Sequence, residues 1–242
     1  MENSEEPGII SRALNSVRKH GFRHAIHWGI FILKLHLTPP SLLYFIRPNT
    51  YFEFSGAKYR YLYSKRNFTW ESERQVEVPV ILAEVRKSRS KRILEVGNVL
   101  SNYADVHHDV LDKYEVADGV INEDVVNFKT KRPYDLIVSI STLEHVGWDE
   151  TPRERMKFVK AIDNLRKNLS KKGKIVFTVP IGYNKDIDWL LFHKKIDFAE
   201  VHYLKRISKE MWIETTWENV KRSKCGYPYS NSNAIVVGTI TK

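Results

Sequence analysis

Cysteine is almost absent from this 242-residue chain: Cys225 stands alone. One thiol makes no intrachain disulfide, no two-cysteine zinc half-site and no Cys-x-x-Cys redox pair. A reducing, cytoplasmic setting is expected. Long apolar runs are missing too. The greasiest stretch, residues 28–37, contains Lys34 and His36 and is followed by Pro39-Pro40; it has about half of the roughly 20 residues needed to span a bilayer. The preceding stretch is broken by Arg12, Arg18, Lys19 and Arg23, so a secretory leader is not expected. Two nucleotide-binding signatures are also absent, the G-x-G-x-x-G fingerprint and the G-x-x-x-x-G-K-[ST] phosphate loop, which disfavours a nicotinamide dehydrogenase and a P-loop nucleotidase.

What the chain does contain suits a globular α/β protein. Hydrophobic residues make up 42% and aromatics 12%, enough to bury a core. The formal charge of +10 is unevenly spread, at +6 over residues 1–90, −6 over 91–150 and +10 over 151–242. Basic flanks attract anions, whereas carboxylates gathered inside a fold more often meet hydroxyls or cations.

The pattern also changes along the chain. Ile10, Ala13, Leu14 and Val17 fall at helical spacing between basic residues, which predicts a basic amphipathic helix. It either packs on the core or lies at a membrane surface as a peripheral contact. Aromatic and polar residues alternate over 51–63 around Gly56, predicting a hairpin or aromatic lid. A Thr69 cap then leads into a helix running through Glu84 despite Pro79. Residues 1–85 are thus expected to form an N-terminal basic arm and helical, aromatic cap, and residues 86–242 the main domain.

From Lys91 onward, short apolar runs alternate with helical segments. Residues 92–97, 134–140, 174–180 and 234–240 read as buried strands, with a helix over about 152–169. Such alternation predicts a doubly wound, mostly parallel sheet of the Rossmann-like kind. Ligands bind beyond the carboxyl ends of such strands, at the crevice where the strand order reverses. That rule selects Glu95-Val96-Gly97-Asn98, then Asp112 after a plausible second strand, then Glu123-Asp124-Val125, and finally Ser141-Thr142-Leu143-Glu144-His145. Asn98 is a residue that tolerates left-handed backbone. His107 and His108 are adjacent and so point to opposite faces of an extended segment; no metal site is expected there.

Taken in order, Ile93-Leu94-Glu95-Val96-Gly97, Asp112, Glu123-Asp124-Val125, the run from Tyr134 to His145, and residues 165–180 resemble a class I S-adenosylmethionine (SAM)-dependent methyltransferase of the type-11-like group. The resemblance spans about residues 91–182. It implies a seven-stranded sheet and SAM as cofactor. Glu95, Gly97 and Asn98 would lie at the methionine end, Asp112 on the ribose, Asp124 and Val125 beside adenine, and Ser141 and Thr142 along the methionine side. His145 would face the methyl group or the acceptor. Two or three glycines are usual in the first loop of that family, and this chain has Gly97 followed by Asn98-Val99-Leu100. The implied activity is methyl transfer to an oxygen or nitrogen atom of a small-molecule or glycan-linked acceptor. An RNA methyltransferase stands second, because the flanks are basic but the Asn/Asp-Pro-Pro-Tyr/Phe signature is absent. A non-catalytic SAM-fold binding module stands third. Tyr183, Asn184, Trp189, His193, Trp212, Trp217, Tyr227 and Tyr229 read equally as acceptor pocket or as core.

Overall fold

The computed structural model describes residues 50–89 and 91–242 together with Leu42. The expected amphipathic helix and the 28–37 stretch lie outside the described residues. The chain divides into two units, of which Asn49–Lys242 is the one described here.

It opens with the hairpin that the aromatic alternation predicted: β1 (Tyr51–Phe54) pairs antiparallel with β2 (Ala57–Arg60). The two turn residues, Ser55 and Gly56, both have positive φ, the combination whose twist matches that of flanking strands. Phe52 and Phe54 are buried, and Tyr59 stacks on Phe52. Thr69 does not cap a helix. Its hydroxyl donates to the Leu62 carbonyl at 2.6 Å and accepts from the Ser64 N–H at 2.8 Å, which ties up the preceding loop instead. The helix α1 (Arg74–Lys87) therefore starts later, after Glu73. Pro79 sits inside it without breaking it, because the carbonyl its missing N–H would have served, that of Gln75, accepts from the Leu62 N–H at 3.0 Å.

Eight strands form the main sheet: β3 (Ile93–Val96), β4 (Asp109–Leu111), β5 (Val120–Ile121), β6 (Tyr134–Ile140), β7 (Leu169–Pro180), β8 (Glu200–Ser208), β9 (Met211–Thr215) and β10 (Ala234–Thr241). Their order across the sheet is β5-β4-β3-β6-β7-β10-β8-β9. Pairings from β5 to β7 are parallel, and those of β7, β10, β8 and β9 are antiparallel. The doubly wound sheet is thus present, and β9 extends it by an eighth strand. Helices cover both faces. Val78, Ile81 and Val85 of α1 pack on Ile93, Leu136, Val138, Ile140 and Val176. On the other face, α2 (Lys157–Lys167) buries Phe158, Ala161, Ile162 and Leu165, and α3 (Lys185–Phe192) buries Ile187, Leu190 and Leu191, against Leu94, Val96, Ile137 and Phe177. Each such side chain contributes about 1.5–3 kcal/mol.

A second helix start also differs from expectation. The helix expected from residue 152 begins at Lys157, because the chain before it is recruited by distant partners. Asp186 accepts from the Arg155 guanidinium at 3.0 Å and from the Met156 N–H at 3.1 Å, while the Glu154 N–H donates to the Gly147 carbonyl at 2.9 Å. The last helix, α4 (Trp217–Val220), is a single turn after the β8–β9 hairpin. Among the described residues no helix is long and apolar enough to cross a membrane.

Candidate functional site

The strand order reverses between β3 and β6, so the crevice expected in such sheets opens at their carboxyl ends. Gly97, the first residue beyond β3, has φ +87°, and a Cβ placed on it would come within 2.2 Å of the Thr142 hydroxyl oxygen. Only glycine fits between the two strand tips. Gly97 and Thr142 form the crevice floor, with Thr142 Oγ1 donating to the Ile140 carbonyl at 3.1 Å. Asn98 does not share the left-handed conformation: Gly97 alone in that turn has positive φ. The Asn98 amide reaches Glu115 at 2.6 Å, and its carbonyl oxygen accepts from Ser101 at 2.6 Å.

Each predicted acid has a distinct setting. Glu95 is fully buried; its Oε1 accepts from the Val99 and Leu100 N–H groups, each at 2.9 Å, and its Oε2 lies 2.8 Å from His108 Nε2. Its carboxylate holds the loop. His108 turns inward to it, while His107 pairs outward with Asp105 at 3.6 Å. Asp112 is half-buried just past β4. One carboxylate oxygen accepts from the Tyr114 and Glu115 N–H groups at 2.8 and 2.9 Å, and the second takes no hydrogen bond from a described residue. Asp124 is bound by Lys157 at 2.7 Å and Lys113 at 2.9 Å, both of which also pair with Glu150. Burial pushes the Asp124 carboxyl up, but the two ammonium groups outweigh that and hold it below the usual aspartate range. Val125 is buried in the core beneath α2, whose Asn164 amide donates to its carbonyl at 2.8 Å.

Ser141 points the other way, toward α1. Its φ is +38°, and its hydroxyl donates to Glu77 Oε1 at 2.5 Å. Glu77 is fully buried, with Arg74 at 3.3 Å from its other oxygen; burial pushes its carboxyl up to about 7. Glu144 follows, also buried, with Oε2 lacking any hydrogen-bond partner. Its carboxyl stands well above the usual glutamate range, because burial and the nearby Glu77 charge disfavour ionisation.

His145 is half-exposed at the same strand tip. Its Nδ1 meets the Asp149 carboxylate in a very short contact, and Tyr183, just past β7, donates to Asp149 Oδ2 at 2.6 Å. Burial pushes the Asp149 carboxyl up, but Tyr183 and His145 outweigh it and hold it low. The Tyr183 hydroxyl is raised, by burial first and then by Asp149. An aspartate on Nδ1 favours that nitrogen as the donor, and Nε2 lies 3.7 Å from Glu144 Oε1. His145 was legible as a candidate; Asp149 was not, and Tyr183 stood only as one of several pocket aromatics. The i, i+4 spacing of His145 and Asp149 was the one local signal.

At the crevice, then, the structure brings together Gly97, Thr142 and Asp112, with His145, Asp149 and Tyr183 at the neighbouring tips of β6 and β7. Glu95, Asp124, Val125 and Ser141 have their polar groups committed to the protein itself. Asp112, which keeps one oxygen open, fits the ribose end of an adenosyl cofactor, whereas the Gly97 N–H and carbonyl are already engaged by the Leu111 carbonyl and the Val99 N–H at 2.9 and 3.1 Å.

The sheet, parallel at its core and antiparallel at its C-terminal end, is of the Rossmann-like kind. Among solved structures the chain is similar to a SAM-dependent methyltransferase from Clostridium acetobutylicum, with 11% identity, 68% of this chain and 90% of the other covered, and a TM-score of 0.36. It is similar also to the N-methyltransferase NodS from Bradyrhizobium japonicum (16% identity, 65% and 83% covered, TM-score 0.38) and to the glycopeptide N-methyltransferase MtfA (9%, 69% and 87%, 0.36). No protein-family model matches the sequence, and no curated protein does.

Proposed function

We propose that this chain is a SAM-dependent methyltransferase acting on an oxygen or nitrogen atom of a small-molecule or glycan-linked acceptor. The observation that carries the reading is one juxtaposition. Asp112 with an open oxygen and the Gly97–Thr142 floor lie at the tips of β4, β3 and β6, and an aspartate-oriented histidine lies at the tip of β6 beside them. When bound, SAM supplies a methyl group already activated by the sulfonium charge. The protein's task is to hold donor and acceptor in line and exclude water. Asp112 would accept from the ribose hydroxyls, Gly97 would let the cofactor approach the backbone, and His145 Nε2 would take the acceptor's proton, Asp149 stabilising the imidazolium that results.

Calorimetry with SAM tests the first part. Asp112→Ala is expected to weaken binding by about 1.5–3 kcal/mol, the range for a hydrogen bond to a charged group, which is roughly 10- to 100-fold in affinity. Unchanged affinity removes Asp112 from the site, and no SAM binding by the native chain ends the reading. For the second part, His145→Ala is expected to lower kcat on the order of 10²-fold while SAM affinity holds, measured by methyl transfer to a panel of amine and hydroxyl acceptors. An undiminished kcat would show that His145 moves no proton. A non-catalytic binding module is favoured by one observation, the engagement of Asp124 by two lysines; SAM binding without turnover on any acceptor would support it.

A further inference from the structure

A second cleft lies away from the crevice, where the loop after α4 folds over β8. About 550 Å³ in volume, it is lined by Lys205, Arg206, Arg222 and Lys224 together with Asn219, Ser223, Asn233 and the 227–229 segment, and no carboxylate is among its lining residues. Elsewhere among the described residues, Lys113, Lys157 and Lys174 each pair with a carboxylate within 3.3 Å. Lys205, Arg222 and Lys224 form no ion pair with any described residue, although they converge on one concavity. Gathering like charges costs energy unless an anion joins them.

The cleft is also built on a fixed frame. Arg206, 3% exposed, spreads its guanidinium over the carbonyls of Lys209, Glu71, Ser230 and Trp70. Burial lowers its proton affinity, with the Glu73, Glu71 and Tyr229 charges opposing. Asn233, 4% exposed, ties the loop from inside, its amide donating to the Lys224 and Tyr229 carbonyls at 3.1 and 2.9 Å and its oxygen accepting from the Tyr229 N–H at 3.1 Å. Two buried polar side chains thus hold the segment that presents Arg222 and Lys224. The Tyr227 ring, 71% exposed, stands at the rim.

The geometry points to an anion-binding cleft for a phosphorylated small molecule, with Lys205, Arg222 and Lys224 on the phosphate oxygens and Tyr227 offering its face to the rest of the ligand. The size favours a small molecule over a polynucleotide, which would need a basic track longer than this one concavity. The inference stands apart from methyl transfer, because it concerns binding measured without SAM.

Inorganic pyrophosphate is the probe, titrated calorimetrically into the full-length chain. Saturable one-to-one binding is expected, weakening as salt is raised. The exposed Arg222→Ala combined with Lys205→Ala should raise Kd at least about tenfold, and Arg222→Glu should abolish binding, with thermal melting unchanged in both. The control Lys171→Ala/Lys172→Ala removes two exposed charges on β7 and should leave Kd unchanged. The inference is overturned if pyrophosphate does not saturate, or if the control weakens it equally. It is overturned as well if a single-stranded RNA oligomer binds through Arg222 while pyrophosphate does not, since the surface would then belong to nucleic acid.

Discussion

Replacing Glu95 by alanine is expected to lower the unfolding free energy by about 3–5 kcal/mol, the cost of breaking a buried, hydrogen-bonded charged group. The reason lies in how much the one carboxylate satisfies. Glu95 sits on the central strand β3 with no exposure, and both oxygens are engaged, one by two backbone N–H groups of the following loop and one by His108. Alanine leaves those two N–H groups and a buried imidazole nitrogen without partners, and leaves a cavity besides. Glutamine keeps one oxygen for the loop and turns an amide toward His108, so Glu95→Gln should cost only about 1 kcal/mol, the net worth of a typical hydrogen bond. Urea denaturation at neutral pH reads both. An alanine variant within about 1 kcal/mol of the native chain would show that the loop after β3 is held by something else, and would return the Glu95 carboxylate to the list of groups free to meet a ligand.

That outcome bears on why the acids of this chain looked alike in sequence and differ in the fold. The strands were legible because apolar runs such as 134–140 are buried on both faces, and buried strands carry a dense signal. The hairpin of β8 and β9 was not. Its alternation buries Arg206 beside Leu204 and Trp212 and leaves Ile207 and Ile213 exposed, so the apolar residues do not mark the inner face. Only the carbonyls of distant loops make Arg206 tolerable there, and no local pattern announces them. The start of α2 was misplaced for the same reason, since Asp186 lies on another helix.

The site divides along that line. Asp112, Gly97 and Thr142 owe their positions to strand ends, which the sequence marks. Lys113 and Lys157, which occupy Asp124, and Tyr183, which braces Asp149, are brought in from the loop after β4, from α2 and from the loop after β7. A carboxylate's freedom depends on those neighbours, so order and spacing located the acids without revealing which were already taken.

Glu77 gives the fold a pH dependence. Its carboxyl is pushed from 4.5 up to about 7 by burial, so the folded state holds the proton more tightly than the unfolded chain. Below 4.5 both states are protonated and the full stability is present. As pH rises from 4.5 to 7 the unfolded chain ionises while the folded one keeps its proton, and stability is lost, by about 3 kcal/mol once both are ionised. Glu77→Gln removes this titration while an amide oxygen stays available to the Ser141 hydroxyl. The variant should match the native chain near pH 4.5 and exceed its stability by about 3 kcal/mol near pH 8, less whatever attraction between Arg74 and the ionised Glu77 is given up. Urea unfolding at those two pH values measures the difference, and parallel stability curves would mean that Glu77 ionises alike in both states. The group lies beneath the tip of β6, where Ser141 precedes Thr142 on the crevice floor. A neutral Glu77 therefore accepts the Ser141 hydrogen bond without burying a charge, whereas an ionised one draws on Arg74, which also donates to the Ile140 carbonyl at 3.0 Å.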